Sequence, residues 1–260
     1  MNWPTAILAL RLRLPSTVSA AIGLIAVMAA VGALFPAVGH TIGKINVPHG
    51  VSNLLGGADY GTITGWFRGE IAAIYGPLVI GALAITGASA VTAGEEEDGI
   101  LAVVLAHPIR RSRLIASKAT AIGAVVVIIA LSTWIGLIVG VALGGGGITI
   151  GHMAALALQL AFFGLATGAV AIALGAGKGG RSTATGIAAA VAIGGWLING
   201  FAPLVGGIAW LKYVSLFYYY AGRDPLTRGI DIPGIIVLGA VTLVLTAIAI
   251  VGFDRRDLRA

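Results

Sequence analysis

The residues with the most chemical potential stand together: Gly94-Glu95-Glu96-Glu97-Asp98-Gly99, the apolar run Ile100 to Leu105, then His107-Pro108-Ile109-Arg110-Arg111-Ser112-Arg113-Leu114 and Lys118. Placing one Asp, Lys or Arg at the centre of a bilayer costs about 2.5–3.5 kcal/mol on insertion scales, so this block of carboxylates must face water. What it offers is contact with a soluble partner. Glu95, Glu96, Glu97 and Asp98 suit the first turn of a short helix, where carboxylates meet the positive end of the helix dipole. Leu101, Val104 and Leu105 follow at i, i+3 and i+4 spacing, which predicts an apolar knob ringed by charge that fits a groove in a partner. Pro108 ends this stub, and Arg110, Arg111 and Arg113 can meet headgroups or acidic residues of the same partner. An ordinary solvated loop explains the same pattern.

A second stretch has the outward form of a phosphate site. Gly175-Ala176-Gly177-Lys178-Gly179-Gly180-Arg181-Ser182 contains G-x-G-x-x-G with a lysine near a serine. It follows an apolar stretch and not a strand, and glycine stands after Lys178 where a P-loop needs Ser or Thr. A flexible basic turn, offering a second contact to the soluble partner, explains it better. No zinc-protease helix motif or G-x-S-x-G elbow occurs. The chain has no cysteine for disulfides, thiolate ligation or nucleophilic attack, and its 4 histidines are scattered. Catalysis, a metal site and a bound cofactor are not expected of this chain.

The elements that carry these residues follow from composition. With 58% hydrophobic residues, 10% charged residues and 40 glycines in 260, the chain is an integral membrane protein. Stretches of roughly 20 apolar residues, enough to cross the hydrocarbon layer, occur at about 18–38, 73–93, 119–143, 153–176, 183–205 and 232–253. They are apolar on every face, which argues for helices over barrel strands. The fold expected is a single all-α transmembrane domain of six helices, with a short connecting helix after the second span. Small residues within the spans, such as Ala84 and Ala88, allow close packing in lipid.

An even number of spans puts both termini on one side. The loops and ends on that side hold Arg11, Arg13, Arg110, Arg111, Arg113, Lys118, Lys178, Arg181, Arg255, Arg256 and Arg259, most of the 16 Lys and Arg, so both termini are expected in the cytoplasm. The net charge of +6 is thereby explained without nucleic acid. Residues 1–15 are too closely joined to a long apolar stretch for a signal peptide. They are expected to form an interfacial helix with Trp3, Ile7, Leu8 and Leu10 toward lipid.

No Asp, Glu, Lys or Arg lies in the interior of these spans, whereas ion-coupled carriers keep such a group as a relay. Polar groups do occur at span depth, among them Ser132, Thr133, Trp134, Gln159, Thr167 and Asn199. They either hydrogen-bond neighbouring helices, or, for Gln159 and Asn199, face a translocation path. On the opposite side, Trp66, Phe67, Glu70 and Ile71 suggest a short interfacial helix. Trp210, Tyr213, Phe217 and Tyr218 to Tyr220 form an aromatic cluster, either anchors at the membrane surface or a cap over an exit. His152 suits a headgroup contact.

The stretch from Gly94 to Leu114 resembles type-2 ABC exporter permeases, in which an acidic E-x-x-x-G-T element opens a connecting helix and P-x-x-R introduces the third span. Ile100 stands where threonine is usual. Tyr213-Val214-Ser215-Leu216-Phe217-Tyr218-Tyr219-Tyr220, then Asp224-Pro225-Leu226 and Gly229, is similar to the family's segment between the fifth and sixth spans, with Leu216 replacing a proline. Phe253-Asp254-Arg255-Arg256-Asp257-Leu258 is similar to its C-terminal ending. The resemblance implies a subunit of the cell's inner membrane that pairs with a second permease, a copy or a close paralogue. It also implies two ABC ATPase subunits, which would bind ATP and Mg, docked at the helix after the second span. The first, second and fifth spans would surround the pathway, with Asn199 and Phe201 near its axis. An amphipathic or lipophilic cargo such as a drug or antibiotic is expected. The competing readings are an ion-coupled secondary transporter and a non-transporting anchor or assembly factor.

Overall fold

The computed structural model of the protein describes residues 3–42, 48–105, 110–177 and 180–255. His107, Pro108, Ile109, Lys178, Arg256, Asp257, Leu258 and Arg259, named above, lie outside these, as do the side chains of Trp3 and Leu105. Regular structure among the described residues is entirely helical. Six helices are long and apolar enough to cross a membrane: Ile7–Gly39, Ile63–Glu97, Arg111–Leu143, Ile150–Ala176, Arg181–Leu204 and Ile232–Asp254. They correspond in order to the six expected spans.

Two boundaries differ from expectation. The first helix runs from Trp3 to Leu34 with Pro15 inside it, so the interfacial lead-in is continuous with the first span. The second span begins at Ile63, and the expected short external helix is its first part. Trp66, Phe67 and Ile71 are therefore buried in the bundle and do not anchor it at an interface.

The fourth span is the centre of the bundle, packed by the second, third, fifth and sixth. Its buried share is 78%, against 22% and 17% for the fifth and sixth, whose outer faces are left for lipid or a partner. The first span lies along the third, and there Gly32, Gly136 and Gly140 bring backbones into contact. A Cβ at Gly32 would overlap the Gly140 carbonyl oxygen, and one at Gly140 the Met28 carbonyl oxygen. One end gathers Leu101, Leu114, Ile115, Ala176 and Phe253 in an apolar cluster near both termini. The other end holds Trp66, Phe67, Met153, Tyr220 and Leu226.

Backbone satisfaction explains how that second end is built. Phe35–Gly39, which contains Pro36, and Arg68–Tyr75, followed by Gly76 and Pro77, are wound as π-helix. In π winding, an N–H reaches five residues back, as Gly76 does to the Ile71 carbonyl. Proline has no N–H to give, so the carbonyl five residues before Pro77, that of Ala72, lacks this helical donor. It and the Val31 carbonyl of the first span accept from side chains outside their own helical turn. Trp66 Nε1 donates to the Val31 carbonyl at 2.8 Å, and Tyr220 Oη to the Ala72 carbonyl at 3.0 Å. Burial pushes the Tyr220 phenol well above its ordinary range, so it remains a neutral donor.

Tyr220→Phe keeps the ring but leaves a buried carbonyl unpaired, at a cost of about 1–3 kcal/mol. Thermal unfolding in detergent will show a lowered midpoint for this variant. Tyr219→Phe, whose hydroxyl donates to the Tyr213 carbonyl at 2.9 Å in an exposed setting, will leave the midpoint nearly unchanged.

Candidate functional site: a lateral groove and the acidic handle beneath it

At the end holding the termini, the four carboxylates are divided between tasks. Glu95 accepts from Lys118 Nζ at 2.8 Å, which gives a partner to an ammonium that is only 4% exposed. Glu97 Oε1 accepts from the Arg181 backbone N–H at 2.8 Å. It thus places a negative charge at the N-terminus of the fifth span, where the helix dipole favours it. Glu96 is half-buried and Asp98 is exposed. The acidic stretch is therefore built into the bundle at two points, as well as facing water.

Gly99 adopts φ 71°, a left-handed turn that suits glycine and starts the stub helix Ile100–Leu105 in a new direction. This corrects the expected knob. Leu101 is 3% exposed and joins Leu114, Ala176 and Phe253 in the apolar cluster, and Val104 packs against it. The stub's outward apolar side chains are Ile100 and Val103, at 48% and 67% exposure. Arg110 and Arg113 are exposed beside them, and Arg111 is half-buried.

A groove with a cavity volume of about 420 Å³ opens on the flank of the bundle. The second span supplies Pro77, Leu78, Gly81, Ala82 and Ile85, the fifth supplies Thr185, Ala189, Ala192, Ile193 and Trp196, and Phe163 and Phe217 also line it. Its walls are almost wholly apolar, and its size falls within the range of small-molecule sites. Small residues on the facing helices leave the space open. The fifth span is fixed at its far half by two bonds: Trp196 Nε1 donates to the Leu54 carbonyl at 3.1 Å, and Ser215 Oγ to the Gly195 carbonyl at 2.7 Å.

Gln159, Asn199 and Phe201, the expected pathway residues, do not line this groove. Gln159 is 1% exposed, and in the amide orientation that satisfies both partners it donates to the Tyr220 carbonyl and accepts from the Asp231 N–H, each at 2.6 Å. It holds the fourth span to the segment before the sixth, which was the alternative reading of its role. Phe201 is 44% exposed and faces Gly50, and Asn199 lines a separate cavity at the end away from the termini. Of the aromatic cluster, Tyr213 and Tyr218 meet edge to face at 5.0 Å near that surface. Phe217 is instead buried, 6.1 Å from Phe163 and 5.4 Å from Tyr220 between ring centres. The groove residues Pro77, Phe163 and Trp196 were missed. A proline within the second span and a tryptophan beside Gly194 and Gly195 are the sequence signals that mark two of them.

The glycine-rich turn joins the fourth and fifth spans, with Gly175 packed against Thr92. Among the described residues no strand precedes it, and its Gly180 lies against the Glu97 carboxylate, a poor neighbour for phosphate.

Six apolar helices, of which the second, third, fifth and sixth pack around the fourth, with an apolar groove on the flank and no strand among the described residues, define a multi-pass helical membrane protein. Residues 4–254 match the sequence model of a family described as multidrug efflux system permease Rv1217c, C-terminal domain. The chain belongs to that ABC permease family. Among curated proteins none matches it.

Ala189→Trp will fill the groove from the fifth span. Binding of a neutral lipophilic dye such as Nile red to the purified chain, followed by fluorescence titration, is expected to weaken about tenfold. Unchanged binding would remove the groove as a ligand site.

Proposed function

We propose that this chain is the membrane subunit of an ATP-driven exporter in the cell membrane, with both termini in the cytoplasm. A second permease subunit, a copy or a close paralogue, completes the path, and two separate ATPase subunits dock beneath it and bind the ATP and Mg. The apolar groove between the second and fifth spans is one wall of that path. Its lack of charge suits an amphipathic or lipophilic cargo such as a drug or antibiotic.

One observation carries this reading. The acidic stretch that begins the handle is bonded, through Glu97, to the N-terminus of the fifth span, which is a wall of the groove. A displacement of the handle by a docked ATPase is passed along a rigid helix to the cavity. The exposed pair Ile100 and Val103, with Arg110 and Arg113 beside it, offers apolar contact edged by positive charge. An unpartnered stripe on the fifth span supports pairing. Gly186 and Gly194 would have open space around an added Cβ, and Ala190 between them is exposed, a small-residue spacing that allows close helix contact in lipid. That the family unit is one domain of a longer permease accords with a six-span half that needs another.

Val103→Asp will abolish copurification of the ATPase while leaving membrane insertion and the unfolding midpoint intact. Leu101→Asp, by contrast, will lower the midpoint itself, because it buries a carboxylate in the apolar cluster. Retained copurification with Val103→Asp would overturn the docking surface. The chain has no cysteine, so Ala190→Cys gives a single thiol, and oxidation in native membranes is expected to yield a cross-linked dimer. In the reconstituted complex, ATP hydrolysis stimulated by cargo separates a pump from an anchor.

A further inference from the structure

At the end away from the termini, a cavity of about 270 Å³ is formed where two spans and two connecting segments meet. Its character is opposite to that of the groove. Arg68 reaches it from the second span, Asn199 from the fifth, Asn53 from the segment between the first two spans, and Lys212, Tyr218 and Asp224 from the segment before the sixth.

Two cations, Arg68 and Lys212, therefore face one carboxylate, Asp224, an excess of one positive charge. One oxygen of that carboxylate, Oδ2, is committed, while its Oδ1 and the Arg68 Nε have no hydrogen-bond partner among the described residues. Oδ2 pairs with Arg68, and the Thr227 hydroxyl donates to the same oxygen. Asp224 is held at φ 52°, the left-handed region, and among the described residues it is the one non-glycine residue there. Strained backbone of this kind persists where its surroundings fix it, and it collects at ligand sites. Lys212 has no carboxylate partner among the described residues. Its ammonium lies 5.1 Å from the Tyr213 ring centre and 5.9 Å from that of Tyr218. A cation held only by ring faces at the edge of a cavity, with two side-chain amides as further donors, is equipped to take an oxyanion. The cavity also adjoins the apolar groove, since Ala73 and Phe217 line both.

We infer that this cavity binds an oxyanion, a carboxylate or phosphate group, with Lys212 as its primary partner and Arg68, Asn53 and Asn199 supporting. The assignment stands whatever drives transport. A free anion and the head of an amphipathic one present the same chemistry to Lys212.

The test uses the full chain in nonionic detergent, with calorimetric titration of decanoate, decanol and acetate below micellar concentration. Decanoate is expected to bind about tenfold more tightly than decanol, a preference that Lys212→Gln removes while decanol affinity stays unchanged. Asn199→Leu, which carries no charge change, is expected to weaken decanoate in the same direction. Acetate binding as tightly as decanoate would assign the site to free anions, and much weaker acetate binding to an amphipathic one. Equal binding of decanoate and decanol, or a preference that survives Lys212→Gln, overturns the inference. So does an absence of binding by all three.

Discussion

The backbone of a membrane-spanning helix cannot leave a carbonyl unpaired, because hydrocarbon supplies no donor. Pro77 threatens that rule at Ala72, and the side-chain donors brought to the Ala72 and Val31 carbonyls fix the end of the bundle away from the termini. Trp66 ties the second span to the first, and Tyr220 ties the segment before the sixth span to the second. Once Tyr220 is anchored, its neighbours have little freedom. Phe217 is set against Phe163 to close the groove, and Asp224 is set against Arg68. Both cavities therefore depend on one hydroxyl meeting one carbonyl.

At the opposite end the organising interaction is electrostatic and not steric. Glu95 and Glu97 reach different elements, the third span through Lys118 and the fifth through the Arg181 amide. A pair such as Glu95 and Lys118 repays the desolvation of its charges only through close geometry, so it adds specificity more than stability. What it specifies is the register of the handle against the bundle. Under the exporter reading, that register lets a push from below arrive at a helix and not dissipate in a loop.

The number and order of the spans were legible in the sequence, because insertion cost is summed over some 20 residues and tolerates local error. Their ends were not. Arg68 and Glu70 argue against membrane depth when each is read alone, yet the helix continues through them because Asp224 and Tyr60 lie opposite. Asp224 comes from a distant part of the chain, and Tyr60 from the turn just before the span. The stub failed for another reason. Periodicity groups Leu101 with Val104, but it does not say whether their face turns toward water or the core, and Gly99 decides that. Gln159 was legible as a polar group that needs partners, and the choice between a path and a neighbour lay in where Asp231 and Tyr220 fall. The groove was hidden because Gly81, Ala82, Ala189 and Ala192 would mark tight packing equally well.

The contrast between the two cavities bears on what kind of molecule the protein can handle. An apolar groove on the flank of a bundle selects by shape and desolvation, and such forces discriminate weakly, at roughly 1–3 kcal/mol for each methylene. Under the exporter reading, such a groove would take a broad range of cargo. A polar cavity beyond Phe217 adds a different filter, since a group that fails to satisfy a partly buried ammonium forfeits a charge-assisted bond. Arranged in series on one route, the first would admit many lipophilic molecules and the second would favour those that carry an acidic end. Phe217, which lines both, stands where the two selections would be joined.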